Sequence, residues 1–248
     1  MMTNQEKQFH DELEVLGGEA REAVRYFYCY LTFREVRSKH EHVRTRLAEE
    51  VLFWSTVLDG LITSAFITLH RIFDQESKHN IDQLLKIARA NLQIFSKSSL
   101  RARKVDGSPN ASEWIEEYMK SAYEPVPDDF RKRLRNHVKR YRKMYEDNYR
   151  DLRTKVFAHK DLSDESEIQS LFAKTNVREL EHLFVFPLQL YEALWQLYEN
   201  GRKPNLRPMR FSHGRMLDKP ARIPPIPYLE HIIDQTKTLL ISIASRAV

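Results

Sequence analysis

Phe130, Leu134, Val138, Tyr141, Tyr145, Tyr149, Leu152 and Val156 follow one another at steps of three or four residues. That spacing puts all eight on one side of an α-helix and scatters them if the backbone is extended. A stripe of this length is far longer than an ordinary strand, so the chain is committed to at least one long amphipathic helix. Asp128 and Asp129 stand at its start, where carboxylates complement the positive end of a helix. The same rhythm recurs elsewhere. Leu47, Val51, Trp54, Leu58, Leu61, Ala65 and Leu69 form a second stripe, and no segment alternates convincingly as a strand would. The expected fold is therefore all-α, a helical bundle of long antiparallel helices.

Composition agrees. The 248 residues include six glycines, where average usage of about 7% would give roughly 17. Sheet-rich folds with many tight turns need more. Neither G-x-G-x-x-G nor G-x-x-x-x-G-K-[ST] occurs, so the usual dinucleotide and P-loop signatures are missing. Cys29 is the single cysteine, which excludes an internal disulfide and any multi-cysteine zinc site. The net charge of +5 permits an anionic partner without demanding one. The first residues, 1–14, are polar and acidic and lack the pattern of a secretory signal. Residues 51–69 are the most apolar run. Ser55, Thr56, Asp59, Thr63, Ser64 and Thr68 interrupt it, so it is read as a buried bundle helix rather than a membrane span. No membrane association is expected, and the expected location is the cytoplasm.

Helices are expected over residues 4–39, loosened at Gly17-Gly18, and over 41–74. Asn80 is a natural N-cap for a helix over 81–95. Residues 97–110 read as a polar loop with Gly107 and Pro109, followed by a short helix over 112–122. The long basic helix spans 128–158, with Pro127 suited to its first turn. Another runs from 176 to 201 with a kink at Pro187. Six prolines punctuate an irregular segment over 203–227, and a last helix covers 228–245. The whole chain, 1–248, is read as one helical domain.

The helix over 128–158 is basic as well as amphipathic. Residues 131–160 hold twelve Lys and Arg against Glu146, Asp147 and Asp151, with Tyr141, Tyr145 and Tyr149 among them. Cations interleaved with aromatic faces suit a phosphodiester strand with exposed bases, although the same pattern describes a solvated helix face whose tyrosines are core. The helix delivers Arg153 and, six residues on, His159. On an ideal helix they lie about 120° apart and about 9 Å along the axis, so they do not touch directly. His159 falls near the apolar stripe, which leaves a packed histidine near a helix C-terminus as the plain alternative.

The run Tyr149-Arg-Asp-Leu-Arg-Thr-Lys-Val-Phe-Ala-His-Lys-Asp161 resembles the signature of the HEPN superfamily, an arginine, four to six residues of any kind, then a histidine, at the end of a long helix. More closely it resembles the AbiU-type abortive-infection group. Leu69-His-Arg-Ile-Phe-Asp74 and Asn80-Ile-Asp-Gln-Leu-Leu85 look like that group too. The resemblance implies an endoribonuclease that needs no metal and no cofactor, with RNA as partner. It also implies a homodimer in which two Arg/His pairs line one basic cleft. Arg153 and His159 would be catalytic. Arg150, Lys155 and Lys160 are candidates for flanking phosphates. Tyr149 is a candidate for base stacking or for core packing. Asp161 would orient His159 or cap the turn, and Arg71 and Asp74, three residues apart, would form a supporting ion pair. A toxin-like or phage-defence role is implied, with an antitoxin or regulatory partner to restrain it. A non-catalytic HEPN-like binding or interaction module is the competing reading. A di-metal site is a weaker rival, because Glu76-x-x-His79 falls in a polar joint, as do His40 and His42, and leaves Glu179-x-x-His182 without its second copy.

Overall fold

The computed structural model describes residues 2–151, 176–206, 212–219 and 227–245. Every element among them is helical and none is a strand, so the protein is all-α. In chain order the α-helices are α1 (Asn4–Lys39), α2 (Glu41–Ala48), α3 (Val51–Phe73), α4 (Ile81–Ala90), α5 (Lys97–Asp106), α6 (Ile115–Ser121), α7 (Arg135–Asn148), α8 (Val177–Asn200), α9 (His213–Leu217) and α10 (Tyr228–Ser245). Short 3-10 turns cover Leu92–Phe95 and Ala111–Glu113, and a π-helical segment covers Asp129–Leu134.

The chain divides into two compact units. The first comprises residues 1–20, 71–149 and 185–208, the second residues 21–70, 150–184 and 209–248. The first unit is built on rings. Phe73 stacks on Tyr145 and Phe186, and Tyr141 lies 4.0 Å from Phe186. Phe95 lies against Phe9 and Phe130, and Phe9 also meets Tyr198. Several of these side chains are fully buried, and each such ring contributes on the order of 2–3 kcal/mol by leaving water. In the second unit Phe27 stacks on Phe184 at 4.1 Å, and α2 packs against α10.

Local chemistry explains the boundaries. Thr3 and Glu6 form a reciprocal capping box at the start of α1: the Thr3 N–H donates to Glu6 Oε2 (2.9 Å) and the Glu6 N–H to Thr3 Oγ1 (3.2 Å). The helix α1 runs unbroken through Gly17-Gly18, where loosening was expected. Gly17 is needed for space, because a Cβ there would lie 2.5 Å from the Tyr191 ring. Asn80 caps α4 as expected, its side chain accepting from the Gln83 N–H at 2.9 Å. Gly201 ends α8 in the left-handed region (φ 57°), which a glycine adopts without strain.

Four expectations are corrected. Residues 97–110 are not a loop: Ser96 caps α5 by accepting from the Ser99 N–H, and good helix formers then carry a mostly solvated helix to Gly107. The helix expected over 41–74 breaks at Glu49-Glu50 into α2 and α3. The run 51–69 is also not buried throughout. Ala65, Leu69, Ile72 and Phe73 are in the core, but Val51, Leu52 and Phe53 are 60%, 81% and 60% exposed. The cause is compositional: the start of α3 is apolar all round, and one packed face cannot cover it. The helix α3 is long and apolar enough to cross a membrane by length and composition, with 17% of its most apolar window buried. Among its described residues the segment over 203–227 is not wholly irregular either, since it holds the short helix α9.

Candidate functional site

The motif-bearing segment begins inside the first unit. The π segment Asp129–Leu134 feeds directly into α7, and the two form one axis of the basic helix expected over 128–158. Its first apolar steps explain the π turn. Phe130, Leu134 and Val138 recur every four residues, so on a 3.6-residue helix each would drift about 40° from the last. A wider turn takes up that drift, and all three are buried. Asp129, itself buried, holds the turn by accepting from the Tyr123 hydroxyl (2.6 Å) and the Val126 N–H (3.0 Å). Burial first, then the hydrogen bond to Asp129, push the Tyr123 phenol up to about 12.

At Tyr149 the helix is interrupted, with φ −128° and ψ −17°, and residues 150–151 are helical again. Tyr149 is fully buried, so its ring belongs to the core and presents no face on which a base would stack. Arg150 is exposed. Arg153, Lys155, His159, Lys160 and Asp161 lie outside the described residues, and so do Leu152 and Val156 of the apolar stripe.

Arg71, at the end of α3, donates from Nε (3.0 Å) and Nη2 (2.8 Å) to one carboxylate oxygen of Glu19. Asp74 accepts from the Glu76 N–H at 3.2 Å. His79, taken above as half of a possible metal pair, sits 3.0 Å from both carboxylate oxygens of Glu12. Among the described residues no three His, Cys, Asp or Glu side chains are grouped to hold a metal ion.

The charges along the basic helix fall into two classes. Asp128 holds Lys132 at 2.6 Å and Arg131 at 3.5 Å, and Lys132 first among these keeps its carboxyl below the usual range. Arg133 lies 3.7 Å from Asp129, and Lys143 lies 2.8 Å from Asp147. Arg142 is turned inward. It pairs with Asp82 of α4 at 2.6 Å and donates from Nε to the Phe73 carbonyl at 3.3 Å. Arg135, Lys139 and Arg140 are exposed and have no charged partner among the described residues.

Where the π segment meets α4 the surface opens into a cleft of about 260 Å³, lined by Asp82, Leu85, Lys86, Arg89, Phe130, Arg131 and Arg135. Lys86 and Arg89 were not singled out from the sequence. Their signal was weak but present: two cations three residues apart on the polar side of an otherwise apolar, Asn-capped helix.

One family model, described as HEPN_AbiU2 (AbiU2), matches residues 6–214. No curated protein and no solved structure matches the chain.

Proposed function

Since the chain belongs to the AbiU2 family of HEPN proteins, we propose that it is an endoribonuclease of the abortive-infection kind that cuts RNA without a metal, using Arg153 and His159. The observation that carries the reading is the run Arg153-Thr-Lys-Val-Phe-Ala-His159, which lies within the matched residues and follows the basic helix.

The chemistry suits these two side chains. In transesterification the ribose 2′-oxygen attacks the adjacent phosphorus, losing its proton, while the 5′-oxygen of the next nucleotide leaves and gains one. An imidazole, with an ordinary pKa near 6.5, is matched to both transfers near neutral pH. A guanidinium stays charged and presents two N–H groups to the phosphate oxygens where negative charge accumulates. A homodimer supplies two such pairs to one cleft, one imidazole as base and one as acid. The products are a 2′,3′-cyclic phosphate and a 5′-hydroxyl. Arg150, Lys155 and Lys160 hold neighbouring phosphates, and Asp161 orients His159. Such an activity in a living cell needs restraint by an antitoxin or regulatory partner.

The test is incubation of the full-length protein with RNA in EDTA. Cleavage is expected, with a loss of about 10²–10⁴-fold in His159→Ala. Equal cleavage by wild type and His159→Ala would refute the assignment. RNA binding without cleavage by either would favour the non-catalytic module.

A further inference from the structure

We propose that the cleft between α4 and the π segment is a docking site for the sugar–phosphate backbone of single-stranded RNA. This rests on the reading that RNA is the substrate. It adds a place on the chain, apart from the Arg153/His159 pair, where the strand is held.

Four cations converge on this cleft from two elements. Lys86 and Arg89 stand three residues apart on α4, and Arg131 and Arg135 four apart across the π segment and the start of α7. Each spacing puts both side chains on one helix face. Of the five charged residues that line the cleft among the described ones, Asp82 is the one carboxylate, and Arg142 already faces it at 2.6 Å. Arg131 shares Asp128 with Lys132. Lys86, Arg89 and Arg135 have no partner among the described residues, although the chain has carboxylates to spare elsewhere. Gathering unpaired like charges around a concavity costs folding free energy through repulsion, and an anion relieves it.

The rest of the lining says which anion. Leu85 and Phe130 are 5% and 1% exposed, so the floor shows no aromatic face to a base. Among the described residues no Asn, Gln, Ser or Thr lines the cleft. A lining dominated by cations favours contact with phosphate oxygens, which position a strand without reading it. The cleft, at about 260 Å³ and open to solvent, has room for a phosphate group. A free oligophosphate offers the same chemistry. A strand is favoured because the positive surface does not stop at the cleft: Lys139, four residues beyond Arg135 and also exposed and without a charged partner among the described residues, continues it along α7. A continuing strip suits a backbone, whereas a small ligand is normally enclosed.

The experiment separates docking from chemistry by using full-length His159→Ala, which is expected to bind but not cut. Binding of a labelled 12-nucleotide RNA is followed by fluorescence anisotropy between 50 and 200 mM salt. Adding Lys86→Gln, Arg89→Gln and Arg135→Gln together is expected to weaken binding at least about tenfold. The slope of log affinity against log salt should flatten by about 2, at roughly 0.7 per lost phosphate contact. Arg135→Gln alone should weaken binding a few-fold, Lys120→Gln should change nothing, and DNA of equal length should show the same dependence on the cleft. Unchanged affinity and slope in the triple variant, with circular dichroism showing it folded, would overturn the proposal. So would saturable micromolar binding of tripolyphosphate that depends on the three residues while RNA binding does not. A wild type that cuts no RNA but loses binding in the triple variant supports this site and sinks the nuclease reading instead.

Discussion

Two groups of arginines in the first unit have opposite surroundings. Arg103 of α5 is enclosed: it meets Glu6 at 2.7 Å, donates to the carbonyls of Ile94 (2.9 Å) and Tyr198 (2.7 Å), and lies 4.1 Å over the Tyr198 ring. Arg89 and Arg135 at the cleft are exposed and carry no such partners among the described residues. The residue type is the same, so residue type alone does not tell structure from binding. What separates them is whether the chain supplies the counter-charge. A guanidinium given a counter-charge from within ties elements together, and one left without it at a concavity is available to a ligand.

The comparison breaks most easily at Arg103. Arg103→Ala strands Glu6 in a mostly buried position, and the expected loss is about 3–5 kcal/mol of unfolding free energy in urea, with oligonucleotide binding by the folded fraction unchanged. A loss under about 1 kcal/mol would place Arg103 with the cleft residues. Next in size is Asn80→Ala, which removes the cap of the helix that carries Lys86 and Arg89. About 1 kcal/mol should be lost, with the salt slope of binding intact. If the slope changes as well, cap and cleft are not separable. Arg135→Gln should shift stability by less than about 0.5 kcal/mol. A larger shift would show that this side chain has an internal partner after all.

The acid limb of stability sharpens the same contrast. Burial by itself would raise the Glu6 carboxyl pKa. The Thr3 N–H, the Arg103 guanidinium and the Thr3 hydroxyl outweigh it and hold the group below its usual 4.5. A depressed carboxyl contributes stability that is present above the unfolded-state value and is lost as pH falls through the folded one. Unfolding free energy measured from pH 6 down to 3 should therefore fall less steeply in Glu6→Gln than in wild type. Parallel curves would mean that Glu6 is not paired in solution.

The sequence was readable where one local rule decides. The four-residue steps of Phe130, Leu134 and Val138 placed the basic helix, and Asn80 placed the start of α4. Thr3-x-x-Glu6 was an equally local signal and went unread. Where partners decide, the reading failed. In the polar run 97–110 the Ser96 cap went unread, and nothing there shows that Leu100 is buried and Arg103 anchored, so a helix passed for a loop. Nothing in the apolar run 51–69 tells its exposed start from its buried end. The Arg153/His159 pair came from resemblance to a family, because spacing alone leaves it ambiguous. Lys86 and Arg89, a weak signal by themselves, gain meaning beside Arg131 and Arg135, about 45 positions away in the chain.

The central claim is most directly tested by the ends that cutting leaves. Mass spectrometry of a short RNA digested in EDTA should find a 2′,3′-cyclic phosphate on one fragment and a 5′-hydroxyl on the other. The same RNA with a single 2′-deoxyribose at the cut should stay whole. Fragments ending in 3′-hydroxyl and 5′-phosphate, or cutting of the deoxy substrate at that position, would contradict it.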